Sequence, residues 1–497
     1  MSSSQRPAPS RPSQRASTSR GAASGDSGSR GSGSRGSAAR GSRKQWILPA
    51  VLVAGCVATG AWAIPQVQHA QQLREGSQAS SPVPSAEPVP TLVPSGPADT
   101  AAMQKSLKGI VGGFTTGNMT GLVVDAASGE TVFASGAERP RVPASNFKLL
   151  TDYTLLRTVN PQSRFTTEVV ASGKTLTLVA GGDTLLGTGE SDESAVVGHA
   201  GLRTLAQRTV DELKKQGPGA YTLNLDASRF SGPGLNPAWD PADVQAQFVN
   251  TVAPIAFYSH FSPAAGGSAG DQRPKDPAGQ VHTALVESIN ELGASAGISV
   301  KAGGTAQAED GAQPVAQVRS ATVAQQAAHM MQESDNMLAE TLARNAAVAA
   351  GKPGSIEGAR QTVLETLQAD GISTDGLKIS DLCGLSPANR VTNTTLAQVT
   401  RAMVNGEHGL SAALAGLPVA GGSGTLDSRF DGPVEASARG FARGKTGTLN
   451  SVISLTGYTT DASGRTYIYS LITNDVTDPA AAKDALDEAA AVITGRR

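Results

Sequence analysis

The chain has 497 residues and a formal net charge of −1, a length that allows about three domains. The neutrality is only apparent: residues 1–45 carry nine Lys or Arg against the single Asp26, +8, which leaves −9 for everything after them. An acidic body of that kind argues against nucleic acid as a partner of the globular part. The two cysteines, Cys56 and Cys383, fall in different segments, so no disulfide can form within the body.

Residues 1–45 are almost wholly Ser, Gly, Arg, Ala and Pro. Too little apolar surface is available there to offset the entropy of ordering, so a disordered basic tail is expected. Trp46 to Ile64 is a 19-residue run without a charge, bounded by Trp46 and Trp62 and preceded by Arg43 and Lys44. About 20 apolar residues span a bilayer, and flanking cations stay on the cytoplasmic side. The run therefore predicts a single-pass signal-anchor with a cytoplasmic N-terminus and an extracytoplasmic body. Cleavage at Ala61-Trp62-Ala63 remains open, and so does lipidation at Cys56 within Val53-Ala54-Gly55-Cys56. All three outcomes export the body. Residues 65–100, rich in Pro, Ser and Gln, read as a semi-extended stalk.

The folded part then starts near residue 101. Thr120 to Ala134 predicts a strand hairpin turning at Ser128-Gly129, and the residues after Ser145 have helical spacing. From 166 to 315 the texture changes to short strand-like runs (175–179, 221–225), one amphipathic stretch (201–215) and Gly/Pro-rich loops. Helical patterns return at 322–350 and 354–370. Strand-like runs at 452–458 and 466–472 and a helix at 478–494 close the chain. This order predicts one parent domain of mixed strands and helices over 101–165 and 316–497, interrupted by an inserted accessory domain over 166–315. The fold class expected is α+β, with an antiparallel sheet flanked by helices and an insert rich in short strands.

Three short motifs carry chemistry. Ser145-Asn146-Phe147-Lys148 is the only S-x-x-K in the chain. On a helix its hydroxyl and amine lie a turn apart on one face, and a weak serine nucleophile needs such a base. Burial can lower a lysine pKa far enough for that role. In Ser334-Asp335-Asn336, the hydroxyl is placed to pass a proton and the Asn336 amide to hold a substrate backbone. Ser288-Ile289-Asn290 also fits S-x-N, but nothing around it suggests chemistry. Lys445-Thr446-Gly447, with Thr448, puts a cation and hydroxyls on a strand edge, a set suited to an anionic substrate carboxylate. Gly447 lets a ligand come close to the backbone. Each motif alone is weak; a surface Ser and Lys or a polar helix cap would look the same. The three together, in this order, are the known signature of penicillin-binding proteins and class A β-lactamases.

The chain further resembles the D-alanyl-D-alanine carboxypeptidase/endopeptidase family of type-4 (class C) low-molecular-mass penicillin-binding proteins. The likeness covers most of residues 104–497. It rests on the three motifs and on Ala180-Gly-Gly-Asp183, Asp226 to Trp239, Asp381-Leu-Cys-Gly-Leu-Ser386 with Asn389-Arg-Val-Thr392, and Leu417 to Leu426. Cys383 stands where the family usually has Ser, Thr184 where it usually has Pro, and the insertion is shorter than in the larger members. The resemblance implies a transpeptidase-like fold and a serine acyl-enzyme mechanism on peptidoglycan stem peptides, with covalent penicillin binding and no metal or cofactor. It further implies Ser145 as nucleophile, Lys148 as its base, Ser334 linked to both Lys148 and Lys445, and Asn336 beside the substrate. Thr446, Gly447 and Thr448 would form the substrate-binding strand. A β-lactamase would share the motifs, though the Glu-x-x-Leu-Asn loop of class A is not evident; a catalytically weak penicillin sensor would share the fold. Oligomeric state is not legible.

Overall fold

The computed structural model describes residues 100–263 and 272–496. The tail, the 46–64 segment and the stalk expected before residue 100 lie outside the described residues. Among the described residues no helix is long and apolar enough to cross a membrane.

In chain order the elements are α1 (Ala101–Gly113), β1 (Asn118–Asp125), β2 (Thr131–Ser135), a short 3-10 turn (Ala144–Phe147), α2 (Lys148–Thr158), β3 (Arg164–Ser172), β4 (Thr175–Val179), α3 (Leu202–Lys214), β5 (Gly219–Asp226), α4 (Pro241–Gln245), α5 (Pro277–Gly293), β6 (Ile298–Thr305) and β7 (Gln313–Thr322). There follow α6 (Val323–Glu333), α7 (Asn336–Ala349), α8 (Ile356–Ala369), α9 (Asn393–Val404), β8 (Arg443–Leu449), β9 (Val452–Thr460), β10 (Thr466–Asn474) and α10 (Pro479–Thr494), with 3-10 turns between.

The first sheet runs β2-β1-β10-β9-β8, antiparallel throughout. Strands β1, β9 and β10 are buried on both faces, and the period of two sorts their side chains into separate cores. Leu122, Val124, Ile468 and Ile472 join the core around α2, α7 and α9. Val123, Tyr467, Tyr469 and Leu471 join the core with Leu107 of α1 and Leu486 and Ile493 of α10. The alternation fastens the two ends of the body to one sheet, because β1 pairs with β10 along its whole length.

The second sheet, β6-β5-β4-β3-β7, occupies 164–322 and has its own core. Here β4, β5 and β6 are parallel, joined through α3 and α5, while β3 is antiparallel to β4 and β7. The segment that reads as short strands with one amphipathic stretch thus holds two long helices. Helix α5 escapes a sequence reading because Gly279 and a buried His282 interrupt its apolar face. Ser288-Ile-Asn290 lies on it, and Asn290 bonds both the N–H and the C=O of Val300 (2.7 and 2.8 Å), which is a structural role.

The helical pattern at 322–350 is two helices. Thr322 and Gln325 form a capping box at the start of α6. The helix stops at Ser334, whose left-handed backbone (φ 55°) turns the chain, and the Asp335 carboxylate caps α7 by accepting from Leu338 N–H. The Ser-Asp-Asn motif is therefore a helix break, with Ser334 and Asn336 on either side of the cap.

Candidate active site

The site forms where the 3-10 turn, the α6–α7 break and β8 meet. Ser145 lies on the turn, and Lys148 opens α2 with its side chain completely buried. Lys148 Nζ lies 3.2 Å from Ser145 Oγ, 2.7 Å from Asn336 Oδ1 and 2.7 Å from the Cys383 carbonyl. A neutral amine has two N–H groups and one lone pair. In that neutral form, donating to Asn336 Oδ1 and the Cys383 carbonyl would leave the lone pair for the Ser145 hydroxyl; in the charged form Nζ donates to Ser145 Oγ as well. Burial pushes the Lys148 pKa below its usual value, against the opposing pull of Cys383, Asp381, Asp335 and Glu340.

Across the site, the buried Lys445 Nζ donates to Ser334 Oγ (3.0 Å) and to the Thr446 carbonyl (2.9 Å). Burial, with the charge of Lys148 added, drives the Lys445 pKa well down. The link from Ser334 to Lys148 that the resemblance implies is replaced by the Cys383 carbonyl: the partners of Lys148 are Ser145, Asn336 and Cys383, and Ser334 is held from the Lys445 side. Asn336 Nδ2 in turn donates to the Phe248 carbonyl (3.2 Å), which brings the 166–315 segment to the rim.

β8 is the edge strand of the first sheet. The Gly444 N–H is bonded to the Pro418 carbonyl, off the sheet, and the pairing with β9 runs without a register shift from Arg443 to Leu449. Main-chain groups alternate in direction along an antiparallel strand. The N–H groups of Thr446 and Thr448 therefore face the open side, as that of Gly444 does. Gly447 is required here: a Cβ would collide with Ser454 Oγ and sit 2.8 Å from the Pro143 carbonyl, two residues before Ser145.

Sequence analysis missed several supporting residues. Asn146, between Ser145 and Lys148, is satisfied with its amide nitrogen donating to the Lys445 carbonyl (2.6 Å) and its oxygen accepting from Thr456 (2.9 Å), so it ties the turn to β8. Thr446 Oγ1 donates to Thr425 Oγ1 (2.7 Å) on the loop that precedes the strand. The Asp381 carboxylate accepts from Gly384 N–H, Ser386 N–H, Asn389 Nδ2 and Trp239 Nε1, at 2.6–3.0 Å. That network folds the Asp381–Ser386 loop against the turn, and Gly384 (φ +85°) has no room for a side chain because a Cβ would meet the Ala144 carbonyl at 2.0 Å. The signal for Asp381 was present in the Asp-Leu-Cys-Gly run; for Asn146 and Thr425 there was none beyond their place inside motifs. Cys383 is buried with its thiol pKa raised, so only its carbonyl serves the site.

The sequence profile of the D-Ala-D-Ala carboxypeptidase 3 (S13) family matches residues 104–261 and 272–494. The chain belongs to that family. This carboxypeptidase is 34% identical over 418 residues to a carboxypeptidase of Mycobacterium tuberculosis, covering 80% of this chain and 87% of that one. It is 34% identical over 434 residues to carboxypeptidase DacB of Mycolicibacterium smegmatis, covering 84% and 91%. Its fold matches penicillin binding protein 4 (dacB) of Haemophilus influenzae with a TM-score of 0.62 at 18% identity, over 80% of this chain and 98% of that structure. The α+β, transpeptidase-like class expected from the residues is the class found, and the enzyme is a serine-type D-Ala-D-Ala carboxypeptidase.

Proposed function

We propose that Ser145 is the nucleophile of an acyl-enzyme cycle on the terminal D-Ala-D-Ala of peptidoglycan stem peptides, with Lys148 as its base. The observation that carries this reading is the Lys148 amine, buried and held 3.2 Å from Ser145 Oγ by Asn336 Oδ1 and the Cys383 carbonyl. Ser145 Oγ attacks the carbonyl carbon between the two D-alanines as its proton passes to Lys148 Nζ. The oxyanion is received by the main-chain N–H groups of Ser145 and Thr448. The C–N bond breaks as Ser334 Oγ gives its proton to the departing amine and takes one from Lys445, while Thr446 and Thr448 bind the terminal carboxylate. Lys148 releases the Ser145 proton to solvent and Lys445 regains one from it, so both amines are reset. Water then attacks the ester carbonyl as it gives a proton to the neutral Lys148, and Lys148 returns that proton to Ser145 Oγ as the C–O bond breaks. The same attack on a β-lactam ring leaves a penicilloyl ester on Ser145, and on a cross-bridge it is endopeptidase chemistry.

The body works outside the cytoplasm, tethered by residues 46–64, and residues 166–315 serve as its accessory domain. In support stand the uncharged 19-residue run with its preceding cations and the separate core of the second sheet. Full-length protein is expected in washed membranes, with release on deletion of 46–64; a wild-type protein freed by salt alone would overturn the anchor.

The acyl-enzyme is tested by incubating the protein and a Ser145→Ala variant with labelled penicillin and following intact mass. A long-lived adduct on the wild type only is the expected result. Fast loss of that adduct with antibiotic hydrolysis would mark a β-lactamase. No adduct on the wild type would sink the reading.

A further inference from the structure

The mechanism uses Lys148 but leaves unexplained how the Cys383 carbonyl, one of its two acceptors, is kept in place. That carbonyl belongs to a loop, and a loop peptide must be held if it is to fix a side chain within tenths of an ångström. The holding group is on α7. Glu340 lies one helical turn after Asn336, on the same face of that helix. Its side chain is fully buried, and Oε1 accepts both the Leu382 N–H (2.7 Å) and the Cys383 N–H (3.0 Å). A single helix thus reaches Lys148 twice, directly through Asn336 Oδ1 and indirectly through the Leu382–Cys383 backbone.

A buried carboxyl is costly unless something requires it. Glu340 has no ion pair with Arg344, its neighbour on the helix, and Glu340 Oε2 has no hydrogen-bond partner. Asp381 and Cys383 are close by, with one ligand atom of each and of Glu340 all within 4.8 Å of one another. Asp381, however, spends its oxygens on the loop and on Trp239, which leaves the two N–H groups preceding and at Cys383 to Glu340 alone. The charged or titratable groups facing Lys148 are then Cys383, Asp381, Asp335 and Glu340 on one side and Lys445 on the other.

We propose that Glu340 is a positioning residue for the acyl-transfer reaction: by gripping the Leu382–Cys383 backbone it places the Cys383 carbonyl that aims Lys148 Nζ at Ser145. The role depends on reach, because the oxygen must arrive at two N–H groups at once; it does not depend on charge. This inference rests on the acyl-enzyme reading given above.

Two conservative variants separate reach from charge. Glu340→Gln keeps the side-chain length and a carbonyl acceptor but removes the charge. Glu340→Asp keeps the charge and withdraws the acceptor by about 1.5 Å, one C–C bond. The readout is the rate of acylation by labelled penicillin per folded, penicillin-titratable molecule, with carboxypeptidase kcat and KM measured on the same samples. Glu340→Asp is expected to acylate about 10²-fold more slowly, with KM little changed, as for a misplaced catalytic group; Glu340→Gln is expected to stay within about threefold of wild type. Wild-type rates in both variants, an equal loss in both, or a loss confined to Glu340→Gln would each overturn the proposal. Wild-type acylation, measured in parallel, reports separately on the acyl-enzyme reading, so the two cannot fail indistinguishably.

Discussion

At the scale of single residues, the site buries two lysines and asks different work of each. Burial lowers both pKa values, most of all that of Lys445, which also feels Lys148. A base must be neutral to accept the Ser145 proton. Acylation should therefore rise with pH through the Lys148 titration, and its acid limb should have a midpoint below the usual lysine value of 10.5. A pH–rate profile of penicillin acylation checks this, and a midpoint at or above that value would exclude Lys148 as the base. Lys148→Arg keeps a cation that stays protonated at any working pH. It should reduce acylation by about 10²–10⁴-fold, the usual worth of a general base. The glycine at 447 is tested by Gly447→Ala, whose methyl would collide with Ser454 Oγ and the Pro143 carbonyl. A loss of about 1–3 kcal/mol of stability, as for other overpacked positions, is expected with slower acylation.

At the scale of elements, α2 carries a second buried ionisable group. Asp152 is a turn beyond Lys148, fully buried, and neither carboxylate oxygen has a hydrogen-bond partner. Burial raises its pKa from 3.8 to about 8. A raised folded-state value means that the native state holds the proton while the unfolded chain has released it. Stability therefore falls as pH rises from about 4 to about 8 and changes no further above that. The accumulated cost is at most on the order of 5 kcal/mol. Asp152→Asn should be more stable than wild type at pH 8, with the gap closing toward pH 4, and denaturant melts at the two pH values measure it. The capping box of α6 offers a further check: Thr322→Ala should cost about 1 kcal/mol, with the Ser334 turn at the far end of the helix intact.

At the scale of the whole molecule, the segment between the first two motifs is tied to the loop that carries the Cys383 carbonyl. Trp239 Nε1 donates to Asp381 (3.0 Å) and Asn236 Nδ2 to the Ser380 carbonyl (3.0 Å), while the Phe248 carbonyl receives Asn336. Trp239→Phe keeps most of the packing and leaves Asp381, buried, short of one donor. An unmet buried group costs about 1–3 kcal/mol. The expected outcome is a lower Tm and slower acylation together, because Asp381 shapes the loop that carries the Cys383 carbonyl. Unchanged acylation in folded Trp239→Phe would show that this segment does not reach the chemistry through this contact.

The sequence by itself determined which side chains the site is built from, since they stand in short runs that the fold brings together: Ser145 with Lys148, Ser334 with Asn336, and Lys445 with Gly447. It also determined the terminal strands and helices, whose apolar periods are strong. What it could not carry is whatever depends on groups far apart in the chain. That 322–350 is broken at Ser334 follows from one residue in a left-handed turn and a cap at Asp335, where local propensity favours one continuous helix. That α5 is a helix follows from packing on β5 and β6, and that β4, β5 and β6 run parallel is a matter of non-local pairing. Above all, the tertiary structure decided who holds Lys148. The partner is a backbone carbonyl 235 positions away, and a carbonyl has no letter in a sequence; only the folded chain, with Glu340 gripping the peptide beside it, puts it there.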